Sequence, residues 1–371
     1  MQGGGLVFVF AIPLWAVAFI GGVLISPLYS YISVWVLVLS ALVSYMALYR
    51  FPRWVSLVLF GFCCGMVRAR WGNALDISDH NIFTAAREFC DGQFARYLEE
   101  PYRTLISGIL FGGSSGFTSE WKHVFRSTGT MHIIAVSGAN VAFVVNWIEW
   151  GLKKTIAYPR MRFYAALFSI GGYVLMTGAP ASVVRAGIMA FVMHVGPLIG
   201  RRAYALHALA FAAALMVIIN PTIAKDIGFQ FSCLATLGLI MFEAPEAKFA
   251  GMVSETIAAT LCIFPLEIYY FKMASIIALI ANIVVAPFIP MLMILGGILL
   301  VLSLGPSIAP YMFAQLVEYG ARIMLRILAT IADIPGSAAS LTASFSFVII
   351  WYLVLVGYFV RRCRQQIRAP T

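Results

Sequence analysis

The chain has 371 residues, 62% of them hydrophobic and 11% charged, with a mean hydropathy of +0.93. That much apolar surface is more than a water-soluble fold conceals, which excludes an ordinary soluble domain and leaves an all-α polytopic integral membrane protein. The net charge of +10 gains meaning from where the 25 Lys and Arg fall, because short cytoplasmic loops collect them.

Three apolar stretches open the chain, at residues 6–25, 31–48 and 55–67, within a first segment of residues 1–71. The start, M-Q-G-G-G, lacks the basic region of a cleaved signal and reads as the approach to a first span. Arg50 and Arg53 separate the second and third stretches, which places the N-terminus in the cytoplasm. Residues 72–127 form a short extracytoplasmic segment. From Arg68 to Arg126 seven basic residues face seven acidic ones, so this is no polybasic arm. Residues 82–98 read as an amphipathic helix, and 104–117 as an apolar piece too short to span, hence re-entrant or interfacial.

Residues 128–371 carry nine further apolar stretches: 131–148, 161–177, 183–199, 203–219, 227–242, 252–271, 275–302, 310–331 and 345–360. Threading them from an inside N-terminus puts 13 of the 25 basic residues into short cytoplasmic loops, among them Lys153, Lys154, Arg201, Arg202, Arg361 and Arg362. The stretch 310–331 decides between 11 and 12 spans. Tyr311, Gln315, Glu318, Arg322 and Arg326 share one helical face, with Glu318 and Arg322 spaced for an i,i+4 pair. Such a stripe suits a water-filled lumen or a helix lying flat on the membrane. The six cysteines lack metal-ligand spacing and are expected to be packing residues, not disulfides.

Residues 126–145 read R-S-T-G-T-M-H-I-I-A-V-S-G-A-N-V-A-F-V-V, with His132, Ser137, Gly138 and Asn140 where lipid favours Leu and Val. On one continuous helix Asn140 lies about 80° from His132 and about 60° from Ser137, so the three share a side. Alternatively, Ser137 and Gly138 break the helix and free backbone groups that are tolerated only against protein or a wet cavity. Both readings make a polar lining; the plainer alternative is hydrogen bonding between neighbouring helices, worth about 1 kcal/mol.

Further along, Arg185 stands one turn into a span, where it either snorkels to the outer interface or meets a phosphate with its guanidinium fork. Gln230 and Ser232 open another span, with Gln230 able to cap a helix end and Asp226 placed to favour the helix dipole. Glu267 is a carboxylate deep in an apolar run that Pro265 bends. Asn282, Pro287 and Pro290 interrupt the long stretch 275–302, a pattern found where a pathway crosses the bilayer middle; packing alone is the alternative for Asn282. The five histidines lack ligand spacing and no G-x-x-x-x-G-K-S/T loop occurs, so no metal, cofactor or catalytic residue is expected.

The run G-T-M-H-I-I-A-V-S-G-A-N at 129–140 resembles the motif of the ComEC/Rec2 competence proteins. His132, Ser137 and Gly138 match it, while Asn140 stands where the family has a second His. The resemblance extends back through an L-x-x-x-I-L-x-G run to about Pro101. It continues forward through Thr177, Gly178, Ser182, Arg185, Ala186 and Met189, then through Asn220-Pro221 with the G-F-Q-x-S element at 228–232. Pro265, Leu266, Tyr270, Phe271, Asn282 and Pro287 carry its later part. The resemblance implies a channel in the bacterial cytoplasmic membrane that passes single-stranded DNA inward during natural transformation. Its implied partners are membrane lipid and the DNA strand, with a DNA receptor, a separate nuclease and a cytoplasmic motor as further classes.

Family members often carry an OB-type domain before the motif, but about 30 residues between Arg70 and Pro101 are too few for one. Many also end in a metallo-β-lactamase-like domain; none follows the last span here, so nuclease activity is not expected. The lining expected under this resemblance comprises His132, Ser137, Gly138, Asn140, Arg185, Gln230, Ser232, Glu267, Asn282, Arg322 and Arg326. Two other classes stay open. Broken helices also suit a small-solute secondary transporter, and A-V-S-G faintly resembles the G-x-S-G of rhomboid proteases, with Ser137 as nucleophile and His194 or His207 as base.

Overall fold

The computed structural model describes residues 15–21, 23, 64 and 81–368, the last without 114–115, 135, 157, 199, 201, 243–247, 275–276, 306–307, 335–338 and 341–343. The expected spans at 31–48 and 55–67, residue 64 apart, lie outside the described residues, as do Arg50 and Arg53.

The fold is all-α. In chain order come α1 (Asn81–Ala95), α2 (Tyr102–Phe111), α3 (Ser119–Ser127), α4 (Met131–Ile134), α5 (Gly138–Thr155), α6 (Pro159–Met176), α7 (Ala181–Leu198) and α8 (Ala205–Ile219). A 3₁₀ turn (Pro221–Lys225) leads into α9 (Ile227–Met241) and α10 (Lys248–Phe271). Then follow α11 (Ala278–Val285), α12 (Phe288–Ser303), α13 (Ala309–Ala332) and α14 (Phe345–Arg368). The two-residue strands β1 (Met273–Ala274) and β2 (Ala339–Ser340) pair antiparallel, Met273 opposite Ser340. The apolar stretches expected from 161 onward are therefore helical, close to their predicted ends except that 275–302 is divided into α11 and α12 and the helix expected at 345–360 runs on to Arg368. Among the described residues no single helix is long and apolar enough to cross a membrane. One pair, α11 and α12, passes that test together, with a 42° bend between its halves.

The chain divides into two compact units, Met1–Thr84 with Val141–Cys233, and Ala85–Asn140 with Leu234–Thr371. In the first, α8 is rich in alanine, and Ala208, Ala212, Ala213 and Ala214 are buried where α7 packs against it. Small side chains let two helix backbones approach closely, which suits association without a large apolar payload. Phe19 and Val23 complete this core against Met216, Val217 and Phe229. At the end of α8, Asn220 turns the chain: its Oδ1 accepts from the Thr222 amide at 3.1 Å and the Thr222 hydroxyl at 2.7 Å, and Pro221 starts the 3₁₀ turn.

In the second unit α2 packs against α12, α13 and α4. The piece at 104–117, expected to be re-entrant or interfacial, is in large part helix α2, and its Leu105, Ile106 and Ile109 have no exposed surface. Gly296 of α12 permits that contact; a Cβ there would stand 2.7 Å from Ile106 Cγ2. α1 is the expected amphipathic helix, burying Phe94 and Cys90, and burial pushes the Cys90 thiol above its ordinary value, as for a packing residue.

Two breaks shape this unit. Pro287 and Pro290 lack the amides that the Ile283 and Ala286 carbonyls would otherwise receive, which separates α11 from α12. Pro265 lies inside α10 and leaves the Leu261 carbonyl without its helix donor. Trp351 of α14 supplies one, its Nε1 donating to Leu261 O at 3.1 Å, while the Tyr352 hydroxyl donates to the neighbouring Cys262 carbonyl at 2.8 Å. A proline break in an apolar setting is thus closed by side chains from a second helix.

Candidate functional site

The polar motif at 126–145 is built from three local devices. α3 ends on Thr128, and Gly129 takes φ 66°. The Gly129 amide donates to Arg126 O at 3.1 Å and the Thr130 amide to Phe125 O at 2.8 Å, the paired bonds of a Schellman end, for which a glycine without Cβ is suited. Thr128 and Thr130 join hydroxyls at 2.8 Å in full burial. One turn of helix, α4, follows and carries His132, whose Nδ1 lies 3.2 Å from the Gly129 carbonyl on an exposed surface.

The chain then leaves helical geometry and restarts at Gly138, so residues 131–148 are not one helix and the shared-face reading of His132 with Asn140 is replaced by the break. Ser137 is the N-cap of α5. Its Oγ accepts from the Asn140 amide at 3.4 Å and donates to Asn140 Oδ1 at 3.0 Å, so the cap and the third helical residue hold each other. Asn140 is buried, and its Nδ2 donates to Ile109 O at 3.0 Å, one of the last four carbonyls of α2, which have no partner within their own helix. Two separate stretches of sequence are joined by that one bond. The Ser137 hydroxyl is directed to Asn140, and among the described residues no imidazole bonds to it.

The first unit repeats the turn. α6 ends on Thr177, Gly178 takes φ 78°, and the Gly178 and Ala179 amides donate to Leu175 O and Val174 O, each at 3.0 Å. Pro180 then starts α7, which brings in Arg185. Arg185 is 3% exposed, so it does not snorkel to an interface. Its Nη1 donates to the Ser232 carbonyl and its guanidinium hydrogen-bonds the Cys233 thiol, both on α9; its Nε is buried without a partner among the described residues. Gln230 caps locally, its Nε2 donating to Ala224 O at 2.9 Å, and Asp226 caps α9 by accepting from the Phe229 amide at 2.7 Å. Arg185, Gln230 and Ser232 are therefore brought together at the start of α9.

In the second unit Glu267 is half-buried and makes no hydrogen bond or ion pair among the described residues. Asn282, on the last turn but one before the α11–α12 bend, keeps a buried Oδ1 without a partner among the described residues. The stripe on α13 differs from the expectation. Glu318 and Arg322 do not pair with each other. Glu318 accepts from the Glu99 amide at 2.8 Å, and Arg322 donates from Nε to the Tyr102 hydroxyl at 3.1 Å with its guanidinium 5.4 Å from that ring. Tyr311 meets Tyr97 edge-on at 4.8 Å. A charge-assisted bond to a backbone amide outweighs an exposed i,i+4 pair worth about 0.3 kcal/mol. Most of the stripe thus holds the connection between α1 and α2, while Gln315 and Arg326 stay exposed.

Sequence reasoning missed four contacts: those of Trp351 and Tyr352 to α10, that of Tyr102 to α13, and a bond between Glu149 of α5 and His194 of α7. A proline in mid-helix signals a carbonyl in need of a donor, but not which aromatic supplies it. Among the described residues no group of three His, Cys, Asp or Glu is placed to hold a metal ion.

Comparison with known proteins places this geometry in context. A family model described as "Competence protein" matches residues 109–365, more than half of the chain. ComE operon protein 3 of Bacillus subtilis (strain 168) is 25% identical over 228 residues, covering 60% of this chain and 29% of that protein. An uncharacterized protein, YcaI, of Escherichia coli (strain K12) is 25% identical over 230 residues, 56% of this chain and 30% of that protein. An uncharacterized protein of Aquifex aeolicus (strain VF5) is 25% identical over 288 residues, 74% of this chain and 66% of that protein. The chain thus spans about three-tenths of the first two relatives. No solved structure matches.

Proposed function

The chain belongs to the competence protein family, and from that premise we propose that it is a multi-pass channel of the bacterial cytoplasmic membrane that passes single-stranded DNA inward during natural transformation. The observation that carries this reading is the bent pair α11–α12. It is apolar enough to cross a bilayer only as two halves, and beside the bend it keeps a buried Asn282 oxygen with no partner among the described residues. An oxygen without a donor is costly in hydrocarbon and tolerated beside a water-filled path.

In this reading the N-terminus is cytoplasmic and 11 or 12 spans are present. α6 and α7, of 18 residues, and α8 and α9, of 15, are short for a hydrocarbon core of about 30 Å, so turns such as 221–225 complete the crossing. The lining set divides by role. Exposed His132 and Arg326, and partly buried Glu267 and Asn282, are the side chains that meet a passing strand. Ser137, Gly138, Asn140 and Arg322 position the backbone of the second unit, and Gln230 and Ser232 that of the first. Arg185 holds α9 in the resting protein and offers a bidentate fork to phosphate when the strand enters. Membrane lipid and the strand are the partners, with a receptor, a nuclease and a motor as separate proteins.

The bent pair also favours a small-solute secondary transporter. Uptake of labelled DNA by cells lacking this chain separates the two readings. Loss of internalised DNA with solute fluxes intact supports the channel, and intact DNA uptake with an altered solute flux supports the transporter.

A further inference from the structure

The turn that joins α5 to α6 has no part in the function proposed above, and the exposed surface on either side of it is sorted along its length. On α5, Phe143, Trp147, Trp150 and Lys154 follow at helical spacing along one face, and all four are exposed. On α6, Met161, Tyr164 and Phe168 form a second exposed strip, which begins from Tyr158 at the N-cap; Phe168 is 84% exposed. Each strip presents large apolar and aromatic side chains outward, away from the core of its unit.

The cations gather at one end of both strips. Residues 153–162 read K-K-T-I-A-Y-P-R-M-R, which holds Lys153, Lys154, Arg160 and Arg162 and no acid. Neither 138–152 nor 163–176 contains a lysine or arginine. Lys154 Nζ stands 3.8 Å from the centre of the Trp150 ring, a cation–π contact that keeps its charge beside the strip. Glu149 is the one acid of α5, and it is engaged by His194 and approached by Lys153 at 3.7 Å. Lys154 and Arg162 make no ion pair among the described residues.

At 1.5 Å per residue Phe143 lies about 16 Å along α5 from Lys154, and Phe168 about 15 Å along α6 from Tyr158, each close to half of a hydrocarbon core of about 30 Å. A basic pole with an apolar tail one leaflet deep has the shape and polarity of a lipid site, with an anionic headgroup at the turn and acyl chains along the rings. A single nucleic-acid strand is the poorer match. It carries a phosphate for every base and calls for cations along the whole run of rings, whereas here they stand at one end only.

We propose that the α5–α6 turn is a binding site for an anionic phospholipid. Lys154 and Arg162 meet the headgroup phosphate, and the acyl chains lie against Phe143, Trp147 and Phe168. In the channel reading this turn belongs to the cytoplasmic leaflet; the site itself needs only a bilayer, so its test involves no DNA uptake and stands or falls apart from the channel.

The test is photolabelling of the full chain in nanodiscs of phosphatidylcholine, doped either with phosphatidylglycerol or with phosphatidylcholine bearing the same photoreactive acyl chain. Peptide 205–219 of α8 serves as the reference, since Phe211 and Ile218 are exposed there and no lysine or arginine occurs. Relative to that peptide, phosphatidylglycerol should label 143–168 about 25-fold more than phosphatidylcholine does, at about fivefold for each of two cations. Lys154→Gln and Arg162→Gln should each lower this preference by about fivefold, and Lys154→Arg should keep it. Equal labelling of the wild type by the two lipids would overturn the proposal, as would an unchanged preference in the Lys154→Gln/Arg162→Gln double variant. Loss of the wild-type preference on adding a single-stranded oligonucleotide would also overturn it and assign the turn to nucleic acid.

Discussion

The two units each carry a motif opened by the same turn. Thr128-Gly129-Thr130 and Thr177-Gly178-Ala179 close their helices with the same two bonds; the second leads directly into the helix that bears buried Arg185, and the first leads through the single turn α4 to the helix that bears buried Asn140. The side chains differ in kind. Asn140 is neutral, and its amide reaches a carbonyl that the end of α2 leaves empty. Arg185 is charged, and its acceptor, Ser232 O, lies within α9, a helix that is continuous at that point. One side chain fills a vacancy in the backbone. The other adds a charge where helix geometry demands none, and a buried charge is too costly to keep for packing alone. The difference sets Asn140, which satisfies the backbone, apart from Arg185, which the channel reading proposes as a contact for phosphate.

Substitutions at Arg185 put that division under the greatest strain. Both Arg185→Ala and Arg185→Gln are expected to lower uptake of labelled DNA by about 100-fold, the scale of one charged hydrogen bond of roughly 3 kcal/mol. Glutamine keeps a donor but no charge, so normal uptake by Arg185→Gln would undo the division. At Asn140 the expected loss is in stability, about 1–3 kcal/mol for a buried carbonyl left unpaired, read by thermal unfolding. Asn140→Asp should cost no less than Asn140→Ala, since an ionised carboxylate cannot donate to Ile109 O.

A smaller effect belongs to the α10 break. Trp351→Phe should cost about 1 kcal/mol in the wild type and clearly less in a Pro265→Ala background, where the substituted residue regains the missing amide. Additive losses in that double-mutant cycle would show that Trp351 does not serve the proline. Smallest are Gly129→Ala and Gly178→Ala, each expected to cost about 1 kcal/mol through a Cβ in the left-handed region. Comparable losses would confirm the likeness of the two turns, whereas a large loss at one alone would part them.

Much of this was legible in the sequence. The helices from 161 onward follow from apolar runs, the α11–α12 break from Pro287 and Pro290, the capping of α9 from Asp226, and the local bond of Gln230 to the preceding turn from its place at the span's start. All of these depend on residues within a turn or two of each other. The sequence also offered the break at Ser137-Gly138 as one of two readings, and the choice fell to the cap formed by Ser137 with Asn140. What stayed hidden depends on partners far along the chain. Glu318 and Arg322 have ideal spacing for each other, yet their partners are Glu99 and Tyr102, more than 200 residues away. The same holds for Trp351 with Leu261 and for His194 with Glu149. Periodicity names the face of a helix but not what the fold brings against it.

The channel reading meets its plainest test in catching a strand in passage. A photo-crosslinking amino acid would be placed singly at Asn282, at Glu267 and, as a control, at the highly exposed apolar position Phe168, and illuminated while labelled DNA is being taken up. A strand moving past the α11–α12 bend should crosslink from positions 282 and 267 and not from 168. Crosslinks absent from 282 and 267, or equally frequent at all three positions, would contradict the channel.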